Sequence, residues 1–510
     1  MSAQSYTKNY LKIYFWQGIS LVLSFLSMFI VIPYLTADPN IYGIYTVCLS
    51  ISIFLSYADF GFLSAGQKYA AEYYIREEKN EEIKVIGFTG LILLVFLLLL
   101  SVLFTYLSFN PTLLVKNLAV ESGYSVASSL LLILALFTPV TLFQRIAQMI
   151  FSIRIEDFII QRSNIVASIL KIISVLWFFR DGEYDIVGYF LFTQVINLIA
   201  ILVNFIIARV RYNYDFKALF KAFYFDVEVY NKIKKVAFTS LFVTVSWVLY
   251  YELDPLVISK VLGANQVAVY AIGLTVLSFF RSILGIMFSP FNARFNYFVG
   301  NNDEEGLKNF FIQIVTTFAP FVVLPIIALT VLSKPLILSW VGSDYTESIL
   351  ITQFLLCCNL FAFFTYPAGI LLLAQERVKD MFKINLLIPV VYWLGILITF
   401  KLLGLNSFAV FKLVAFFISA SFYYLLIFRY LKISFSDMFF KLFKPLFLPV
   451  VSLVGLGLVF INYMPNYKSK LNLLIVAMVI GFLILVSFLV LFVFSDSWRK
   501  NLSRILSNLK

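Results

Sequence analysis

The chain has 510 residues, of which 62% are hydrophobic and only 13% are charged. Soluble domains carry about 25% charged residues, so this composition excludes a soluble globular protein and predicts an integral membrane protein. The net charge of +12 does not indicate nucleic acid binding. In a membrane protein, an excess of Lys and Arg reports on which side of the bilayer each loop lies.

The chain contains no histidine, so the commonest general base and the commonest metal ligand are both missing. We therefore expect no metal and no organic cofactor. The three cysteines, Cys48, Cys357 and Cys358, lie in apolar segments, and no disulfide framework is predicted. The first apolar stretch, residues 13–35, is too long for the apolar core of a signal peptide and is predicted to be a retained span.

Apolar segments long enough to cross a bilayer recur along the whole chain. A membrane-spanning helix needs about 20 such residues, and this criterion predicts about fourteen spans in an all-α, polytopic membrane protein. The predicted spans are residues 13–35, 43–65, 86–108, 126–151, 163–179, 186–208, 237–259, 268–292, 309–332, 347–373, 383–402, 405–428, 445–464 and 472–494.

The loops between these spans differ strongly in positive charge. With the N-terminus in the cytoplasm, about 28 Lys and Arg residues lie on the inner side and about 7 on the outer side. This asymmetry predicts that both termini are cytoplasmic. No outer loop is long enough to form a domain, which argues against an enzyme that works on the outer face.

A short motif occurs twice, 225 residues apart. Asn40-Ile-Tyr-Gly-Ile-Tyr45 begins the second predicted span, and Asn265-Gln-Val-Ala-Val-Tyr270 begins the eighth. Six spans separate the copies, and an even number predicts a parallel repeat, an architecture typical of transporters. The predicted organisation is an N-lobe (1–208, spans one to six), a basic cytoplasmic linker (209–236), a C-lobe (237–430, spans seven to twelve) and a C-terminal region (431–510, two further spans and a tail).

Four cations lie deep within predicted spans. Arg281 is about 11–13 residues from either end of its span, roughly 16–20 Å, which is farther than an arginine side chain reaches. It must therefore face a polar cavity or pair with an acid. Lys412 and Arg145 are nearer to span ends, and Lys171 lies near the middle of a short span, so either a functional position or snorkelling to the interface explains them. Arg154 and Arg294 lie at inner boundaries and are interpreted as topology charges.

Two acids and a proline interrupt the seventh span. Glu252 and Asp254 are separated by about 200° on a regular helix, so they point to nearly opposite faces. Pro255 is predicted to bend the helix as a hinge, which would bring one acid to a cavity and the other to a helix contact. An ion pair with Arg281 is the structural alternative. Asp59, at the inner part of span two, is a further candidate for ion coupling or gating.

The deep cations outnumber the deep acids. An interior with this balance favours an anionic substrate such as a phosphate or pyrophosphate group. We expect Arg281, Lys412, Lys171 and Arg145 to bind that substrate.

Several motifs together resemble those of a known family. Asn40-Ile-Tyr-Gly-Ile-Tyr45, Asp59-Phe-Gly-Phe-Leu-Ser-Ala-Gly66, and Asp254-Pro-Leu-Val-Ile-Ser-Lys-Val-Leu-Gly263 with Val269-Tyr270 look like those of Wzx-type polysaccharide (O-antigen repeat unit) flippases. These flippases belong to the MOP exporter superfamily, with MATE exporters and lipid II flippases. The resemblance covers essentially the whole chain through the number and order of its spans.

The resemblance implies a V-shaped bundle of two six-helix lobes plus two C-terminal helices in a bacterial inner membrane. It implies translocation of an undecaprenyl-pyrophosphate-linked oligosaccharide to the outer leaflet by alternating access, coupled to H⁺ or Na⁺. It further implies a cavity cation at Arg281 and a family acid at Asp254, while Glu252 is the candidate for ion coupling. The expected partners are the lipid-linked oligosaccharide, membrane lipid, a polysaccharide polymerase and a chain-length regulator, with the chain itself monomeric.

Three other functions remain open from the sequence. A MATE-like exporter of drugs or small molecules is the main alternative, although a cation-rich interior does not suit organic cations. A membrane glycosyltransferase or polymerase would be expected to have a large outer loop with catalytic residues. A purely structural scaffold would leave the deep charges without a purpose.

Overall fold

A computed structural model describes residues 3–55, 61–116, 118, 121–180, 182–375 and 377–508. The described residues contain α-helices and three short 3₁₀-helices but no strand, which confirms the predicted all-α class. They form two compact units, residues 1–268 and 269–510.

The helices of the first unit range from one and a half turns to about nine turns. They are α1 (Ala3–Leu35), α2 (Pro39–Phe54), α3 (Phe62–Ile75), α4 (Lys79–Phe109), α5 (Glu121–Phe137), α6 (Thr141–Ser152), α7 (Phe158–Phe178), α8 (Ile186–Tyr212), α9 (Phe216–Lys221), α10 (Val227–Tyr251) and α11 (Asp254–Leu262).

The next helix, α12, begins in the first unit and continues into the second. The remaining helices are α12 (Ala264–Phe288), α13 (Phe291–Gly300), α14 (Glu304–Val331), α15 (Ser333–Trp340), α16 (Ser348–Ala374), α17 (Val378–Leu403), α18 (Asn406–Leu431), α19 (Phe435–Phe460), α20 (Lys470–Phe494) and α21 (Asp496–Asn508).

Eleven helices in the described part of the chain are long and apolar enough to cross a membrane, and eleven of the fourteen predicted spans coincide with them. Many of their large apolar side chains are exposed, for example Ile398 at 78% and Leu402 at 87%. A water-soluble protein would not leave so much apolar surface uncovered, so these side chains face lipid. The chain is a multi-pass membrane protein.

The other three predicted spans are not single straight helices. The segment 43–65 contains the end of α2 and the beginning of α3, on either side of residues that the structure does not describe. The segment 126–151 is bent by 45° between α5 and α6, at Thr138–Val140, where Pro139 cannot donate a helix hydrogen bond. The segment 237–259 is divided into α10 and α11. Hydropathy detects each apolar segment but not the break within it.

The structure supports the 225-residue repeat through its helix boundaries. Pro39 begins α2 and Ala264 begins α12, while Lys79 begins α4 and Glu304 begins α14. Both pairs are separated by 225 residues, so the two copies start corresponding helices in the same register.

The last tyrosine of each motif copy makes the same kind of contact within its own unit. Tyr45 packs edge to face against Phe190 of α8, with ring centroids 5.8 Å apart. Tyr270 packs in the same way against Phe408 of α18, at 6.3 Å. Edge-to-face aromatic pairs contribute about 0.5–1.5 kcal/mol beyond their buried area. Helix packing therefore explains why tyrosine recurs at this position.

The predicted linker 209–236 contains the end of α8, the short helix α9 and the beginning of α10. Its apolar side chains pack into the core of the first unit, and Tyr214 and Leu219 are fully buried there. The basic segment is thus a folded part of the first unit. The lobe boundaries given by the sequence remain a prediction.

Candidate functional site

A polar cavity of about 360 Å³ lies inside the first unit, between α2, α5, α6, α7 and α8. Two of the four predicted substrate-binding cations, Arg145 on α6 and Lys171 on α7, line this cavity together. Its other polar lining residues are Tyr45, Ser52, Thr138, Thr141, Gln144, Tyr189, Thr193, Gln194 and Asn197.

Within the part of the chain that the structure describes, no aspartate or glutamate lines this cavity. Its charge comes from Arg145 and Lys171, and amides and hydroxyl groups provide the remaining polar surface. A cavity whose described lining has two cations and no acid attracts an anion. Arg and Lys both form strong, charge-assisted hydrogen bonds with phosphate oxygens.

The Lys171 side chain is held across the interface between α7 and α8. Its ammonium group donates a hydrogen bond to Oδ1 of Asn197 at 2.6 Å. The interaction leaves other N–H groups of the ammonium for a ligand, since a lysine has three. Asn197 thus fixes the direction in which the charge points.

Arg145 enters the cavity because of the bend in the fourth predicted span. Pro139 separates α5 from α6, and the first five residues of α6 include Thr141, Gln144 and Arg145, which line the cavity. The Arg145 side chain is half-buried, and its Nη1 donates to Oε1 of Gln148 at 3.4 Å. Without the bend of 45°, the helix axis of α6 would point in a different direction.

The amides Gln144, Gln194 and Asn197 were missed as site residues in the sequence. A usable signal exists, because Gln194 and Asn197 are three residues apart and share one face of α8. Amide residues that lie three residues apart in an otherwise apolar span could therefore have been predicted to line a cavity.

The two acids of the seventh predicted span lie at a break in the helix. α10 ends at Tyr251, and Glu252 has φ −112° and ψ −14° before α11 begins at Asp254. The two acids therefore lie on either side of this interruption, and not within one continuous helix. Both carboxylates are buried, with Glu252 6% exposed and Asp254 fully enclosed.

Pro255 lies in the first turn of α11. At this position a proline costs no hydrogen bond, because the N–H groups of a first turn have no partner within the helix. Asp254 lies in the same turn, where the helix dipole favours a negative charge. The break itself is at Glu252 and Leu253, just before the proline that was predicted as the hinge.

Beyond this break, α11 is tied to the segment that follows α4. The backbone N–H of Lys116 donates to the carbonyl of Ser259 at 3.1 Å, and the Ser259 hydroxyl donates to the carbonyl of Leu114 at 2.9 Å. Lys260 Nζ adds a bond to the carbonyl of Thr112 at 3.2 Å. These bonds fix α11, so any movement at the break would be taken up on the α10 side.

The other two predicted cations belong to the second unit. Arg281 on α12 is half-buried, and its backbone carbonyl accepts a hydrogen bond from the Tyr366 hydroxyl at 3.4 Å. Lys412 on α18 is only 1% exposed, and its ammonium lies 5.4 Å from the ring centroid of Tyr392. This distance is within the range of a cation–π interaction, so Lys412 is packed inside the unit. Asp59 lies outside the described residues.

Arg154, interpreted from the sequence as a topology charge, is instead a buried structural residue. It is 6% exposed, its Nη2 lies 2.8 Å from Oε1 of Glu82, and its Nη1 donates to the carbonyl of Ile150 at 2.9 Å. The rings of Tyr74 and Tyr212 lie 4.7 and 4.9 Å from the guanidinium carbon. A position near a helix end does not reveal such a pair, because Glu82 is 72 residues away.

A second ion pair lies close by in the sequence. Arg211 contacts both carboxylate oxygens of Glu156 at 2.7 Å, and the Tyr212 hydroxyl also donates to Glu156. Burial raises the pKa of Glu156, but these hydrogen bonds and the positive charges of Arg211 and Lys12 together lower it by more, so the net pKa is below its usual value. The pair links α8 to the turn between α6 and α7.

The MatE family model matches residues 239–397 of this chain. No curated protein sequence matches it. Among solved structures, the inward closed conformation of the lipid II flippase MurJ is similar with a TM-score of 0.65 and 14% identity, over 94% of this chain and 98% of that one.

Two further solved structures are similar at 13% and 14% identity. An inward-facing multidrug resistance MATE transporter gives a TM-score of 0.62 over 82% of this chain and 95% of its own. A MOP superfamily transporter from Pyrococcus furiosus, described as having a binding pocket of reverse polarity, gives 0.53 over 83% and 96%. The chain has the MOP fold. A lipid II flippase and transporters of the MOP superfamily share this fold.

Proposed function

We propose that this chain is a flippase that moves an undecaprenyl-pyrophosphate-linked oligosaccharide from the cytoplasmic to the outer leaflet of a bacterial inner membrane. The observation that carries the proposal is the polar cavity of the first unit, in which Arg145 and Lys171 face a lining without a described acid. The MOP fold, shared with a lipid II flippase, supports the class of activity.

The cavity suits a pyrophosphate better than an organic cation. Arg145 offers a planar donor group and Lys171 a compact one, and three amides stand beside them. An organic cation would have to approach two positive charges in a medium of low dielectric constant, where repulsion is strong. The sugars would occupy polar space, while the prenyl chain stays in lipid.

Coupling to an ion gradient is the second part of the proposal. Glu252 lies at the break between α10 and α11, so a change in its protonation or ion binding would act where the helix is interrupted. Asp254, buried in the first turn of α11, has the structural or gating role. Arg281 and Lys412 of the second unit are proposed to bind the same anionic substrate during an alternating-access cycle, and Asp59 is proposed to couple ions or to gate.

The decisive experiment removes the two cavity cations. Arg145→Gln, Lys171→Gln and the double variant are reconstituted in proteoliposomes with a lipid-linked oligosaccharide. Translocation is measured as accessibility of the sugar to an impermeant lectin. A hydrogen bond to a charged group contributes about 1.5–3 kcal/mol, so each change should weaken pyrophosphate binding about 10- to 150-fold.

Arg162→Gln is the matched control. Arg162 lies on α7 like Lys171, but it is exposed and stacks on Trp16 at 4.6 Å outside the cavity. We expect this variant to translocate at the normal rate. Normal translocation by a well-folded double variant would refute the assignment of the cavity.

A multidrug or small-molecule exporter is the second candidate, favoured by the MatE match over residues 239–397. Efflux of a cationic dye from the same proteoliposomes distinguishes the two functions. Gradient-driven dye efflux without sugar translocation would favour the exporter, and the opposite result would favour the flippase. A flippase of the proposed kind would supply a polysaccharide polymerase and its chain-length regulator.

A further inference from the structure

A second cavity, of about 1000 Å³, lies wholly within the second unit. Its walls are formed by α14, by α19 and by the junction between α20 and α21. The transport proposal makes no use of this cavity, which shares no lining residue with the cavity of the first unit.

The wall of this cavity that α19 forms is basic. Lys441 and Lys444 both line it from α19, and both are exposed. Because they are three residues apart on a helix, they project from the same face. The acid in the lining, Asp496, forms an ion pair with Arg499. The pairing leaves the two lysines as the groups that would attract a ligand.

The opposite wall is held in place by Trp498. Its indole N–H donates to the carbonyl of Thr317 at 3.1 Å, and its ring packs against Phe321 at 6.0 Å. Gln313 of α14 adds a hydrogen bond to the carbonyl of Asn501 at 3.5 Å. These contacts fix α21 against α14, so the cavity is part of the folded unit and not a gap under a loose tail.

The cavity continues into an apolar surface of α19. Phe440 belongs to the lining, and Phe440, Phe443 and Phe447 are 62%, 50% and 70% exposed along the same helix. A molecule with a negatively charged head and apolar chains would match both surfaces. A free phosphate would use only the lysines, and an apolar ligand would leave the lysines uncompensated.

The position of the cavity favours the inner leaflet. It lies at the first turns of α19 and at the beginning of α21, on the side that the Lys and Arg distribution predicts to be cytoplasmic. Basic pockets between membrane helices on that side bind anionic lipid headgroups, and each nearby Lys contributes about 1 kcal/mol.

We propose that this cavity binds the phosphodiester headgroup of one anionic phospholipid. Lys441 and Lys444 contact the phosphate, the amides of Asn309 and Asn501 contact the polar headgroup, and the acyl chains lie along the exposed phenylalanines of α19. The bound lipid connects α19 to α21 and is distinct from the transported substrate.

Native mass spectrometry of the full chain tests the proposal by titration with phosphatidylglycerol. Wild type should retain one tightly bound molecule and should not retain phosphatidylcholine. Lys441→Gln/Lys444→Gln should lose about 30-fold in affinity, from two contributions of about 1 kcal/mol each. The exposed pair Lys217 and Lys221 on α9 provides the control, because Lys217→Gln/Lys221→Gln removes the same charge elsewhere.

Ser497→Trp gives an independent test, because it fills the cavity without removing a lysine. It should reduce retention of the lipid as the lysine variant does, while size-exclusion profiles stay unchanged. Equal losses in the α9 control would show general charge attraction and overturn the proposal. Displacement of the lipid by millimolar inorganic phosphate would assign the cavity to a free anion. Preferential displacement by undecaprenyl pyrophosphate would assign it to the substrate, and either result overturns the phospholipid assignment.

Discussion

Replacing Glu82 with glutamine should destabilise the first unit strongly. Arg154 is 6% exposed and Glu82 is 1% exposed, so the change would leave a buried guanidinium without its carboxylate. Removing one partner of a buried ion pair typically costs about 3–5 kcal/mol. The Ile150 carbonyl and the tyrosine rings around Arg154 retain part of the stabilisation, which places the expected loss near 3 kcal/mol.

The loss can be measured as a thermal shift of the purified protein. For a unit of about 250 residues, 1 kcal/mol corresponds to about 2–4 °C, so Glu82→Gln should lower Tm by about 6–12 °C. The double variant Glu82→Leu/Arg154→Met removes both charges and should recover most of that loss, because apolar replacements of a buried pair are often neutral. If the double variant is as unstable as Glu82→Gln, the uncompensated charge is not the cause and the reasoning is wrong.

Three further predictions concern helix packing, pH and coupling. A Cβ at Gly43 would lie 1.9 Å from the carbonyl oxygen of Ala264, so Gly43→Ala should lower the free energy of unfolding by about 1–3 kcal/mol. The control Gly18→Ala should be tolerated, because a Cβ there would have nothing within 4 Å. The pKa of Glu156 is lowered in the folded state. Its ion pair should therefore stabilise the fold fully above the usual pKa of 4.5, and this stabilisation should be lost as the pH falls through the folded pKa. Tm measured against pH should therefore fall less steeply in Glu156→Gln, and an unchanged profile would contradict this. Glu252→Gln should abolish the dependence of translocation on an imposed ion gradient, and gradient-driven transport at the normal rate would exclude Glu252 as the coupling group.

The sequence by itself determined that the chain lies in a lipid bilayer, and it determined the order of the helices. A composition of 62% hydrophobic residues leaves a bilayer as the environment, and the backbone must then form helices, because lipid cannot satisfy its hydrogen bonds. The repeat was also visible, because Asn40 and Asn265 mark helices that start in the same register. These properties are local or periodic along the chain.

Only the tertiary structure decided which charges meet. Arg145 and Lys171 share a cavity because the chain bends at Pro139, whereas Lys412 is packed inside the second unit. The sequence ranked the deep cations only by their depth, since hydropathy gives the depth of a residue but not the neighbours of its side chain.

The same limit applies to the ion pairs and to the broken seventh span. Arg154 meets Glu82 across 72 residues, a pairing that depends on how α4 packs against the end of α6. At the start of α11, the sequence located Pro255 correctly but predicted that it bends one continuous helix. A proline is compatible either with a kink inside one helix or with the first turn of a separate helix. The contacts of α11 with its neighbours decide which of the two forms.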